Sequence, residues 1–543
     1  MTMSNHLWFL IPEAILMVGV VITAITGLMR SVSIRQSTPA VAAVFVIASG
    51  VASVFVFSPE HLDTTTFLMP ALGRWVGVIT SAVGLVLILN SVGQVDRRLE
   101  KAVAAGRLRF DPLRASGGEY YAFMLLSLAG LMLICTANDL IWLFLALELT
   151  SLPTYVLVAM SRTNKLAQEA AMKYFFLGAM SAAIFLYGFA LLYAATGTIE
   201  FDQMRRAFQS QTADGGLGAL AIAGLLLSLF GIGFKLAAAP LHLYAADVYE
   251  GASAPVTAFL GFVPKAAGVL AIMMLLVTTG LSELSNSLPY PIMIMLWVVA
   301  VLTMTLGNIG ALLQRSIKRM LAYSSIAHSG YLMIGIIAGP GIGYTAVLFY
   351  LLAYGIGNTA AFSVLSALER RGEELTTLED LAGLRKRHPL MAAVLAISSG
   401  SLLGFPPLLG FWGKLMLFIA GIQTGQIVLV IIAAVNSAIS GWYYLKLVAV
   451  PVMATPTARS ESVERGPSNW PRVAGVIMVV ATLVLPIFLS WLYMQSSDSA
   501  QTAAAMRART QAESTEVLES AQASARLVPV PGVQASLNSP SNR

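Results

Sequence analysis

Five lysines stand inside long apolar runs of this 543-residue sequence: Lys173, Lys235, Lys265, Lys414 and Lys446. A lysine held at mid-bilayer costs about 2.5–3.5 kcal/mol on insertion scales. Each one therefore needs a physical reason. Lys173 and Lys446 lie within a turn or two of the ends of their runs, where a long side chain snorkels to the headgroups. Lys173 is also a candidate member of an internal chain. Lys235, Lys265 and Lys414 are too deep for that escape, and Glu148 is the acidic residue read at similar depth. One carboxylate cannot neutralise three ammonium groups, so at least two of these lysines must be neutral part of the time, hydrated, or both. Burial favours the uncharged amine and a neighbouring carboxylate favours the ammonium, so moving one relative to the other makes a proton switch. The competing reading of the same residues is a buried ion pair that only orders a helix bundle.

Two of the deep lysines sit beside helix breakers. Pro240 follows Lys235 by five residues in "GIGFKLAAAPLH", and "GFPPLLGFWGK" places Pro406 and Pro407 shortly before Lys414. Proline removes a backbone donor and frees a carbonyl. In lipid that is tolerated only where the broken backbone is buried in protein or lines a hydrated cavity. A break beside a deep charge is the mark of an ion site in transporters built from discontinuous helices. His328, in "LAYSSIAHSGYL", is a further candidate: it lies among Ser324, Ser325 and Ser329, and imidazole both gives and takes a proton near neutral pH.

The elements that must hold these residues are membrane helices. The composition is 57% hydrophobic and only 11% charged, with a mean hydropathy of +0.77, too few charges to solvate a globule of this size. Apolar runs of about 20 residues recur along nearly the whole chain, each long enough to cross a ~30 Å hydrocarbon core as a helix. The first, "LWFLIPEAILMVGVVITAITGLM", is of full spanning length and lacks a basic leader and a cleavage site, so it reads as a span. The sequence predicts an all-α polytopic membrane protein of about fourteen transmembrane helices. With the N-terminus outside, the cytoplasmic connections hold 21 Lys and Arg and the outer ones only Arg74, Arg205 and Arg206, which is the positive-inside asymmetry. Both termini are then outside.

Spans four to eight and nine to thirteen form two groups of five. An odd number of crossings turns the second group over, and the broken, lysine-bearing helix is the fourth member of each. Two inverted five-helix repeats with broken helices seven and twelve are therefore expected. The organisation read from this pattern is 1–119, three spans and a basic loop; 120–280 and 281–452, the two repeats; 453–494, a loop and the last span; and 495–543, a tail rich in Ala and Ser that is expected to be disordered. Cys135 is the only cysteine, so neither a disulfide nor a cysteine-ligated cluster forms within the chain. "GPGIG" at 339–343 joins two spans and is a turn, not a nucleotide loop. His242, Asp247 and Glu250 are spaced loosely like metal ligands, but nothing completes the set; they read as a polar mouth.

The stretches "NDLIWLFLALELTSLPTY", "GIGFKLAAAPLHLYAADVYEGASAPVTAFLGFVPK", "KRMLAYSSIAHSGY" and "GFPPLLGFWGKLMLF" resemble the antiporter-like subunit N of bacterial NADH-quinone oxidoreductase, respiratory complex I. The likeness runs from about residue 7 to 494. Lysine at 414 favours this type over the sister subunit M, which typically carries glutamate there. Tyr244 and Ala246 depart from it, standing where tryptophan and proline are usual. The resemblance implies a proton relay: a Glu148 and Lys235 pair, a bridging Lys265, His328 between the halves and a terminal Lys414 facing outward. It also implies that FMN, iron–sulfur clusters and quinone are carried by partner subunits and none by this chain, in a bacterial inner membrane. The partners implied are other membrane subunits, including sister antiporter-like ones, with lipid, protons and water, and no nucleic acid. Two alternatives use the same residues: an Mrp-type cation/proton antiporter subunit, and a purely structural membrane subunit.

Overall fold

The computed structural model describes residues 7–58, 67–162, 165–213, 215–278 and 288–501. Twelve helices among them are long and apolar enough to cross a membrane. Three spans lead: α1 (Ile11–Leu28), α2 (Val32–Val56) and α3 (Leu72–Ser91), followed by the short polar helix α4 (Arg97–Ala104). The first repeat comprises α5 (Gly117–Leu133), α6 (Leu140–Met160), α7 (Lys165–Thr196), a surface helix α8 (Phe201–Ala213), the two pieces α9 (Ala219–Gly233) and α10 (Ala245–Gly251), and α11 (Ala254–Thr278). The second comprises α12 (Tyr290–Leu312), α13 (Ile317–Ala338), α14 (Ile342–Ala367), the two pieces α15 (Pro389–Leu403) and α16 (Leu409–Gln423), and α17 (Ile427–Met453). A short turn of helix, α18 (Ala458–Glu461), precedes the last span, α19 (Trp470–Val484) continued by α20 (Leu489–Ser499). Counting each split pair as one crossing gives the fourteen expected.

Where the helices start follows local rules. Pro12, Pro389 and Pro471 occupy first-turn positions, where the missing N–H has no intrahelical partner to lose. Asp139 and Ser316 cap α6 and α13 through the N–H groups of Trp142 and Arg319. The centre of the bundle is α11 and α14, buried along their whole length and packed on each other, with α13 nearly so. Helices α1 and α5 cross at Gly27 and Gly118, where a Cβ on Gly27 would meet Gly118 Cα at 2.3 Å. Small residues let membrane helices approach this closely. The last helix runs to Ser499, past the boundary at Met494, because Leu492, Ser496 and Ser499 are buried where α20 packs on α14 and α3. The remainder of the tail, 502–543, lies outside the described residues.

All the basic connections are brought to one face and tied together there. Strands β1 (Leu368–Arg370), β2 (Glu373–Glu374) and β3 (Val463–Arg465) form a small antiparallel sheet in the order β2-β1-β3, joining the connection before α15 to the one before α19. Glu374 accepts from Arg162, from Lys318 Nζ at 2.5 Å and from the Ala254 N–H at 2.9 Å, so one carboxylate holds three other connections. Arg97 pairs with Glu369 and Arg35 with Glu100. Burial disfavours ionisation of Glu374, but Lys318 and Arg162 outweigh it and hold the carboxyl below its ordinary range.

Asp380 is a second such anchor. Its side chain is fully buried and accepts from Arg459 Nε at 2.7 Å and from the Thr376 and Thr377 N–H groups at 3.0 and 2.9 Å. Burial raises its pKa and these donors lower it further than burial lifts it, so the folded value lies below 3.8. The stabilisation is therefore fully present above that ordinary value and is lost as pH falls through the depressed one. Asp380→Ala is expected to lower the stability of the purified protein by roughly 3 kcal/mol at neutral pH, with the difference from wild type shrinking in acid; thermal unfolding at several pH values checks both.

Candidate functional site

The deep lysines occupy three different local structures, two beside a break in the crossing and one inside a continuous helix. The helical hydrogen bonds of α9 tighten after Gly233 into i→i−3 bonds from Lys235, Leu236 and Ala237. The chain then unwinds through Pro240 before α10 begins. The crossing is broken here, as the sequence predicts: an eleven-residue gap separates Gly233 from Ala245, because Pro240 cannot donate and Ala237 adopts a left-handed φ of +53°. Lys235 is thus on the break itself. Lys265 is inside α11, one residue after Pro264, which frees the carbonyl of Leu260. Lys414 lies within α16, beyond the gap that Pro406 and Pro407 create between α15 and α16.

Lys235 Nζ donates to Glu148 Oε1 at 3.1 Å and to Ser151 Oγ at 2.6 Å, both on α6. Gly268, one turn beyond Lys265, lets the break lie against α11: a Cβ there would meet Leu236 Cδ1 at 2.3 Å and Lys235 Cβ at 2.9 Å. Lys235 and Lys265 consequently line one cavity of about 20 Å³ with Tyr174, Tyr244, Tyr249 and Ser325. That is room for a water among several polar partners. Lys265 Nζ donates to Ser325 Oγ at 2.7 Å and to the Ser325 carbonyl. Tyr354 also donates to Ser325 Oγ, at 2.7 Å, and Tyr249 lies 3.3 Å from it. With two donors already on that oxygen, the serine proton points to Tyr249.

His328 is buried one turn along α13. Its Nδ1 is 2.5 Å from Tyr350 Oη and its Nε2 is 2.8 Å from Tyr444 Oη, which also meets Ser324. A neutral imidazole has one N–H and one lone pair, so one tyrosine donates and the other accepts, and the direction reverses when the tautomer changes. Lys414 Nζ donates to the Leu403 carbonyl at 2.8 Å and to Ser437 Oγ at 3.1 Å, and sits 5.0 Å from the centre of the Tyr331 ring. The structure therefore joins Glu148 to Lys235 directly and Lys235 to Lys265 across a cavity. The rings of Tyr354 and Tyr331 stand next to His328 on the way to Lys265 and Lys414.

The remaining candidates lie apart. Lys173 bonds Glu169 at 2.7 Å and Asp247 at 2.8 Å, and Asp247 also takes Arg319 at 2.8 Å. Lys173 and Asp247 adjoin in sequence Tyr174 and Val248, which line the cavity of Lys235 and Lys265; Glu250 goes to Ser316 instead. Lys446 lies 5.3 Å from the Trp442 ring. Sequence reasoning met Ser325 only as a neighbour of His328 and missed Ser151, Tyr350, Tyr354 and Tyr444, because single-residue hydropathy treats them as ordinary core. It also passed over Glu13, buried in the first turn of α1.

A sequence profile described as NADH:quinone oxidoreductase/Mrp antiporter, TM matches residues 137–440. The chain belongs to that family. Within it, the NADH-quinone oxidoreductase subunit N of Paramagnetospirillum magneticum is 35% identical over 488 residues, covering 88% of this chain and 93% of the relative. Subunit N of Trichlorobacter lovleyi is 44% identical over 336 residues, 61% of this chain and 66% of the relative. A chain of respiratory complex I from Thermus thermophilus, solved with bound aureothin, superposes with a TM-score of 0.70 at 29% identity, over 89% of this chain and 98% of that one. A chain of the Mrp complex from a Dietzia species shares the fold, with a TM-score of 0.74 at 23% identity over 92% and 97%. Among members of this family, the tyrosine hydroxyls on His328 are a testable part of the site. Tyr444→Phe is expected to slow coupled proton translocation about tenfold by leaving one imidazole nitrogen unpaired, with complex assembly retained; translocation rates in sealed vesicles measure it.

Proposed function

We propose that this chain is a proton-translocating membrane subunit of an NADH:quinone oxidoreductase, carrying protons along Glu148, Lys235, Lys265, His328 and Lys414, with Lys173 at the entrance. The observation that carries the reading is the shared cavity of Lys235 and Lys265, with Glu148 bonded to the first and Ser325 to the second. A carboxylate and two amines linked in this way pass a proton by shifting which group is charged. The names of the relatives at 35–44% identity support the assignment to subunit N.

The basic face is cytoplasmic on this reading, which puts both termini outside, in a bacterial inner membrane. Protons load from the mouth ringed by Lys173, Asp247 and Arg319, and leave from Lys414, beside whose break Phe405 is exposed. Transfer past the rings of Tyr354 and Tyr331 requires water or side-chain movement at each. Moving one charge against 100 mV takes about 2.3 kcal/mol. Flavin, iron–sulfur and quinone chemistry in neighbouring subunits would supply it, transmitted through membrane contacts, including those with sister antiporter-like subunits. An Mrp-type cation/proton antiporter would use the same lysines, and the shared fold alone does not separate the two. Co-isolation with flavin and iron–sulfur subunits supports the oxidoreductase assignment, and an active transporter isolated without them defeats it.

Lys235→Ala and Lys414→Ala, each in the assembled complex in sealed vesicles, are expected to lower proton translocation linked to quinone reduction by about tenfold or more. Assembly is measured alongside, because Lys235→Ala leaves the Glu148 carboxylate without its cation, whereas Lys414→Ala removes a lysine bonded to a carbonyl and a serine hydroxyl. Normal assembly with unchanged translocation would leave these lysines a purely structural role.

A further inference from the structure

The break that carries Lys235 exposes backbone groups that its own segment does not satisfy. The Leu236 carbonyl accepts from Ser329 Oγ at 2.5 Å, and the Ala239 N–H donates to Thr303 Oγ1 at 2.9 Å. Thr303 in turn donates to the Val299 carbonyl at 2.5 Å, so its one proton is committed and the Ala239 N–H meets a lone pair. Both hydroxyls are completely buried, and the residues they hold flank Ala237, the left-handed residue of the break. A buried backbone group left unpaired in lipid is costly enough that these two contacts define where the break can sit.

Neither hydroxyl belongs to the repeat that contains Lys235. Thr303 is on α12 and Ser329 on α13, the first two helices of the second repeat. The same face of α13 carries Ser325, which holds Lys265, and His328; positions 325, 328 and 329 are spaced i, i+3 and i+4, so they project together. One helix therefore touches three members of the series at once.

We propose that Thr303 and Ser329 are positioning residues for Lys235, through which a displacement of α12 and α13 in the second repeat moves the lysine relative to Glu148 in the first. The inference rests on the relay proposed above. Glu148 on α6, Lys265 across the cavity and the hydroxyls of Tyr174, Tyr244 and Tyr249 are the titratable groups that face Lys235 or its cavity. Shifting the break changes the lysine's distance to the carboxylate and hence the pH at which it exchanges its proton. A contact that served only to hold the fold would not move that pH.

The test is proton translocation as a function of pH, in vesicles containing the whole complex. Thr303→Val, which keeps the shape and removes the hydroxyl, and Ser329→Ala are expected to lower the rate at neutral pH about tenfold and to displace the pH profile. Thr303→Ser restores both. Unchanged profiles in Thr303→Val and Ser329→Ala, in a complex where Lys235→Ala abolishes translocation, overturn the positioning role alone. If Lys235→Ala leaves translocation intact, the relay itself fails. Should the hydroxyl variants not assemble, Ala237→Gly decides: it keeps both hydroxyls and changes the conformational preference of the left-handed residue between them, so it should displace the profile, and an unaltered profile overturns the proposal.

Discussion

A hydrocarbon interior offers no water to any polar group, so every charge and every freed backbone atom in a span must find its partner inside the protein. That constraint organises this chain. Its two broken crossings meet it in opposite ways. The inner part of the break in the first repeat, from Phe234 to Ala239, is buried, and side chains from the second repeat satisfy two of its backbone groups. The break between α15 and α16 lies at the surface of the chain, where Phe405 is 61% exposed, and Lys414 itself bonds the stranded Leu403 carbonyl. The two lysines are counterparts in an inverted repeat, yet one is held by its surroundings and the other holds its own surroundings together.

The consequence is a bundle with a division of labour. Helices α11 and α14 form the buried centre, and Lys265, Tyr350 and Tyr354 on them meet Ser325 and His328 of α13. Ser151, Ser325 and Tyr444 each hold more than one hydrogen-bond partner. On the basic face, Glu374 gathers Arg162, Lys318 and the Ala254 N–H from three separate connections, and Asp380 ties Arg459 to its own loop, so these connections are fixed to one another.

The fold by itself does not assign the chemistry, since chains of respiratory complex I and of an Mrp complex superpose on it about equally well. What distinguishes them must lie in the specific side chains and in the neighbours. The relatives that this chain matches at 35–44% identity are named NADH-quinone oxidoreductase subunit N.

Much of this was legible before any fold was known. Length and polarity of the apolar runs, the lopsided basic loops and the pairing of Lys235 and Lys414 with prolines set the spans, the repeat and the main candidates, because hydrocarbon penalises charge and proline penalises helix wherever they occur. The sequence could not say that Lys235 stands on an unwound segment, that Thr303 and Ser329 reach it from another repeat, or that Tyr350 and Tyr444 bracket His328. Those contacts join residues from 22 to 116 positions apart, and a hydroxyl in a membrane helix looks the same in sequence whether it bonds its own turn or a neighbour's broken backbone. Local composition decides what must be buried; only packing decides which buried groups meet.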